Sequence, residues 1–142
     1  MPKPVYGDGN ESFQAAGEHE GIGKLVDAFY RHMDTLSEAV TIRNMHSHDL
    51  DESAEKLKVF LAGWLGGPSE YANRFGKIKI PRVHAHLDID EPERDAWMLC
   101  MERAVAEQDA WADDFKEYFL GAIARPAEKV RKASVARREE EG

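Results

Sequence analysis

The run KLKVFLAGWLGGPSEY at 56–71 constrains the fold most. Leu57, Phe60, Leu61, Trp64 and Leu65 recur at i, i+3, i+4, i+7 and i+8, which is one apolar stripe on a helix. Gly66, Gly67 and Pro68 then stop it, since the glycines accept the backbone of a helix end and proline cannot continue one. Asp49 or Asp51 can cap its start, and Glu52 and Glu55 suit the positive end of the helix dipole. A helix with so aromatic a stripe has to cover it with other elements.

The rest of the chain supplies such elements. Ile22, Leu25, Val26, Phe29, Tyr30 and Met33 keep helical spacing, and Asp34, Thr35 and Ser37 predict a break, with a helical turn over 38–45. Ser69 can cap a short helix over 69–75. Residues 76–90 read as a long loop with a turn of helix near His84, because the short IKI run has no partner strand. Asp90 and Pro92 mark the start of a helix carrying Trp97, Met98, Met101, Ala104 and Val105. A last helix over 109–124 carries Trp111, Phe115, Tyr118, Phe119, Ala122 and Ile123 before Pro126 interrupts or ends it. The charged residues after Lys129 read as a frayed end or a solvated helix. The expectation is a single all-α domain at 21–126, with a loose arm at 1–20 and a charged tail at 127–142. Its helices near 21–33 and 51–65 should face those near 92–107 and 109–124.

The 142 residues can bury a core without disulfides, and the lone Cys100 permits none internally. That agrees with a reducing compartment, and Cys100 itself reads as a buried, inert thiol. The net charge of -8 gives no counterion-release gain on phosphate, so nucleic acid is not an expected partner. No apolar run approaches the roughly 18–20 residues that cross a bilayer, and the first residues lack the pattern of a signal peptide. The expected address is the cytoplasm, without a membrane partner.

Four of the six histidines form His-x-His pairs at 46/48 and 84/86. Such pairs can hold a metal, but loop histidines are more often exposed rings. No cysteine pair, HExxH or ExxH helix pair joins them, and neither GxSxG nor a phosphate-binding GxxxxGK[ST] loop is present. An aromatic helical shell with histidines in its loops suits a haem, which offers two apolar faces, two carboxylates and an iron that takes imidazole. The same features also allow a non-haem metal protein in which the His pairs converge. They equally allow a cofactor-free helical interaction module whose stripes are ordinary core.

Four segments in order resemble a known family, the truncated or two-over-two haemoglobins of group II. They are GIGKLVDAFYRHM at 21–33, IRNMHSHDL at 42–50, KLKVFLAGWLGGPSEY at 56–71 and HAHLDIDEPERDAWMLCM at 84–101. The resemblance implies a globin-like two-over-two helical sandwich enclosing haem b. It implies reversible binding of O2, CO or NO, with nitric oxide, peroxide, redox or sensing chemistry as further roles and a reductase as an electron donor. A monomer or homodimer is expected.

Residue by residue, His84 matches the proximal iron ligand, ten residues before Arg94, and His86 is peripheral. Tyr30 and Trp97 match distal donors to the bound gas. His46 matches the corner position, from which it can ligate the iron on the distal side, pack against the porphyrin edge or hydrogen-bond Tyr30. Leu57 and Phe60 match porphyrin-facing positions, and Ser53 stands where many globins carry a distal histidine. Before the proximal histidine this chain reads GKIKIPRV at 76–83, without the usual Gly-His-Pro and two arginines. The cations for the propionates are therefore drawn from Lys56, Arg82 and Lys79, and Tyr71 can add a hydroxyl.

Overall fold

A computed structural model describes residues 5–46, 48–68 and 87–141, and among them there is no strand. A short helix, α1 (Glu11–Ala15), turns through Gly17 into α2 (Glu18–Thr35). Gly17 sits at φ 86, in the left-handed region that favours glycine. Gly21 is needed for a different reason: a Cβ there would lie 1.8 Å from the Ala16 carbonyl oxygen. That carbonyl accepts the Trp111 indole N–H at 3.0 Å, so the arm is fastened to the far end of the chain.

Helix α2 buries Ile22, Leu25, Val26, Phe29 and Met33, the stripe read from sequence. A 3-10 turn (Ser37–Ala39) and α3 (Val40–Asn44) follow, then α4 (Asp51–Trp64). The Asp49 side chain, rather than that of Asp51, accepts the first amide of α4 at 2.9 Å. The expected stop appears: Leu65 and Gly66 leave the helix, and Gly66 adopts φ 95. The stripe of α4 divides in two. Leu61 and Leu65 are buried in the core, whereas Leu57, Phe60 and Trp64 stay partly exposed.

Helix α5 (Glu91–Ala106) starts at Asp90, whose amide donates to the Glu93 side chain at 2.9 Å, with Pro92 in the first turn. It buries Ala96, Cys100, Met101, Ala104 and Val105. Helix α6 (Asp113–Glu141) differs from its expected span. Trp111 lies ahead of it, and the helix passes through Pro126 to Glu141 instead of ending near 124. The stretch expected to fray or stand in solvent is packed: Ser134 is fully buried, and Val130, Arg131, Arg137 and Arg138 are half-buried.

Helix α2 packs on both α4 and α5, and α5 packs on α6, which gives the two-over-two sandwich. Its centre is aromatic, with Phe29, Phe115 and Phe119 fully buried, each contributing about 1.5–3 kcal/mol by burial. No helix among the described residues is long and apolar enough to cross a membrane.

Candidate functional site

The partial exposure of Leu57 and Phe60 is explained by what they face. A cavity of about 240 Å3 is bordered by Tyr30 of α2, Ile42 and His46 around the α3 corner, Ser53, Lys56, Leu57 and Phe60 of α4, and Trp97 of α5. Ser53, Leu57 and Phe60 stand at i, i+4 and i+7, so one face of α4 looks into it. Met45, Leu87, Ile89, Glu93, Arg94, Ile123, Pro126, Ala127 and Val130 are the other described lining residues.

Two hydrogen-bond donors stand in these apolar surroundings. The rings of Tyr30 and Trp97 both pack edge-on against buried Phe29, at 5.0 and 5.1 Å. Burial raises the pKa of Tyr30 far above its ordinary value, so its hydroxyl remains protonated and donates. Among the described residues neither the Tyr30 hydroxyl nor the Trp97 indole N–H has an acceptor. Both side chains are half-buried and border the cavity, so the pair can serve a small polar guest there.

His46 lies edge-on to Tyr30, ring centroids 5.9 Å apart. Its Nδ1 is 2.8 Å from the Ile42 carbonyl oxygen. A carbonyl only accepts, so Nδ1 carries the proton, and in the neutral ring Nε2 keeps its lone pair. Three charged residues, Lys56, Glu93 and Arg94, are among the lining. Lys56 pairs with Glu52 at 3.0 Å, and Arg94 pairs with Glu128 and Asp95, each at 2.9 Å.

Tyr30, His46, Lys56, Leu57, Phe60 and Trp97, all named from sequence, thus border one cavity. His84, Tyr71 and Arg82, with His86 and Lys79, lie outside the described residues. The sequence reading missed the contribution of the last helix. Ile123, Ala127, Val130 and Ser134 continue one stripe at i, i+4, i+7 and i+11 straight through Pro126. That continuity was the available signal, and the expectation of a helix end at the proline hid it. Among the described residues no three His, Cys, Asp or Glu side chains gather as a metal site.

Largely apolar walls, two unmet donors and the cations Lys56 and Arg94 fit a flat apolar macrocycle with carboxylates and a small polar ligand. Comparison with known proteins agrees. The bacterial-like globin family matches residues 11–131. The chain belongs to the bacterial-like globins. Within them it groups with the truncated haemoglobins of group II. It is 30% identical over 114 residues to the group 2 truncated haemoglobin YjbI of Bacillus subtilis (strain 168), spanning 80% of this chain and 83% of that one. The group II 2-on-2 haemoglobin of Agrobacterium tumefaciens is 31% identical, with a TM-score of 0.80 over 92% of this chain and 97% of the other. A truncated oxygen-avid haemoglobin from Bacillus subtilis is 28% identical, with a TM-score of 0.76 over 84% of this chain and 97% of the other. As a globin, this chain is a haem protein that binds small diatomic ligands such as O2.

Proposed function

We propose that this globin holds oxygen tightly and releases it slowly, on a haem b whose iron is carried by His84. The observation that carries the reading is the pair of donors bordering the cavity, Tyr30 and Trp97, with no acceptor among the described residues. Haem iron supplies reversible binding of a diatomic gas. The chain's part is to donate hydrogen bonds to that gas from Tyr30 and Trp97, in surroundings where water competes weakly. Leu57 and Phe60 cover the apolar faces of the macrocycle, and Lys56, with Arg82 and Tyr71, pairs with its carboxylates. A single cysteine, Cys100, cannot supply the Cys-x-x-Cys-His attachment of a c-type haem, which supports haem b. The oxygen-avid relative from Bacillus subtilis supports the slow release.

Slow release suits ligand sensing, or nitric oxide or peroxide chemistry with a reductase returning electrons, better than delivery of oxygen. His46 has a second role in this proposal: its Nε2 lone pair makes it a candidate distal ligand when no gas is bound. The decisive experiment compares haem retention in His84→Ala and His86→Ala by the Soret band. Loss in the first alone is the expected result, and equal behaviour of the two variants removes the ligand assignment.

A further inference from the structure

A second space, about 540 Å3, lies between the arm, the end of α4 and the middle of α6. Its walls differ in kind from those of the haem cavity. Tyr118, Ala122, Arg125 and Lys129 border it at i, i+4, i+7 and i+11, one face of α6. Across from them stands Trp64, with the backbone of Gly66 beside it. No carboxylate is among the described lining residues.

Two cations, Arg125 and Lys129, both exposed to solvent, give the cleft its charge. The chain carries a net charge of -8, and Arg31, Arg43, Arg94, Arg131 and Arg138 each pair with an acid. Arg125 and Lys129 have no acid partner among the described residues, and the Tyr118 hydroxyl has no hydrogen-bond partner there either. Gly7 leaves room for that hydroxyl, since a Cβ would come within 2.8 Å of it. The cleft therefore combines two unpaired cations and a free hydroxyl with an indole and aliphatic floor. That donor set fits a molecule with an anionic head and an apolar body.

We propose that this cleft binds a small amphipathic carboxylate, its head on Arg125 and Lys129 and its body against Trp64. The Trp64 ring stacks on Phe60, centroids 6.3 Å apart and planes at 24°. Phe60 borders the haem cavity, and Pro126 borders both spaces. An occupant thus rests on the same wall that the haem does, without sharing its cavity.

The test is calorimetric titration of the haem-loaded protein with octanoate, octanol and inorganic phosphate. Octanoate is expected to bind at least tenfold more tightly than either of the others. The double variant Arg125→Gln/Lys129→Gln should lose that tenfold while binding octanol as before and keeping an unchanged Soret band. Three results would overturn the proposal: equal affinity for octanoate and octanol, phosphate binding as tightly as octanoate, or an unaltered octanoate affinity in the double variant. So would an octanoate-induced Soret change of equal size in both proteins, which assigns the probe to the haem instead. Loss of the Soret band altogether would bear on the haem reading and not on this cleft.

Discussion

The Ser134 hydroxyl accepts a hydrogen bond from the Ile89 amide at 2.8 Å and donates its own proton to the Leu87 carbonyl at 2.6 Å. Around it Arg138 forks onto both oxygens of Asp90 at 2.7 and 2.9 Å, and Arg137 reaches Asp88 at 2.6 Å. The far half of α6 is thus bound to the strap at 87–90, whose Leu87 and Ile89 border the haem cavity. Ser134→Ala leaves the Ile89 amide without its acceptor and should cost about 1–3 kcal/mol. Urea unfolding of the haem-loaded protein measures the loss, and transfer of haem to an acceptor globin should become faster. An unchanged midpoint and transfer rate would mean that the bond contributes nothing.

Acid should loosen the same region. The hydrogen bond from Arg138 holds the Asp90 carboxyl below its ordinary value of 3.8, and Arg131 does the same for Glu128. A carboxyl with a lowered folded pKa contributes stability above its unfolded value and loses it as pH falls through the folded one. The contribution of these two carboxyls should therefore hold from neutral pH down to about 4 and be lost below it, with a shallower acid fall in Asp90→Asn. Identical acid profiles for wild type and variant would remove the linkage.

Trp97→Phe keeps a ring on Phe29 and removes one N–H. If that donor serves the gas, the loss is about 1–3 kcal/mol, or roughly 5- to 150-fold in oxygen dissociation. Stopped-flow dissociation measures it. A rate within a factor of two of wild type would make Trp97 a packing residue.

Cys100 is fully buried, and burial pushes its thiol up to about 11. The thiolate fraction at pH 8 is then about one in a thousand. An aryl disulfide reagent should leave the native protein unmodified at that pH and label it at once in denaturant. Prompt labelling of native protein would show that this helix face opens.

How much could be read before the structure depended on how local the cause was. The α2 stripe, the stop at Gly66 and Gly67, and the start of α5 at Asp90 are written in neighbouring residues, and they appear where expected. The span of α6 was not, because Pro126 argues locally for an end and only packing overrides it. Ser134 finds partners at Leu87 and Ile89, far off in sequence, and such contacts can offset the helix bond that proline removes. The cavity walls from α4 were legible through family resemblance. Periodicity alone made Leu57 and Phe60 core residues like Leu61, and only their partial exposure sets them apart.

The glycine pair that ends α4 also sets a timetable. A Cβ on Gly66 would lie 2.0 Å from the Gly9 carbonyl oxygen, and one on Gly67 would strike the Phe13 ring at 2.5 Å. The arm therefore has its seat in a segment translated some fifty residues later, and its Phe13 amide waits for the Leu65 carbonyl. The second fastening, from Trp111 to Ala16, spans 95 residues. At about 5–20 residues per second, a ribosome takes roughly 5–20 s to make that stretch. Until Gly67 is made, roughly 3–10 s at that rate, the arm's phenylalanine is a nascent apolar side chain without its pocket, available to a chaperone before it is available to the fold.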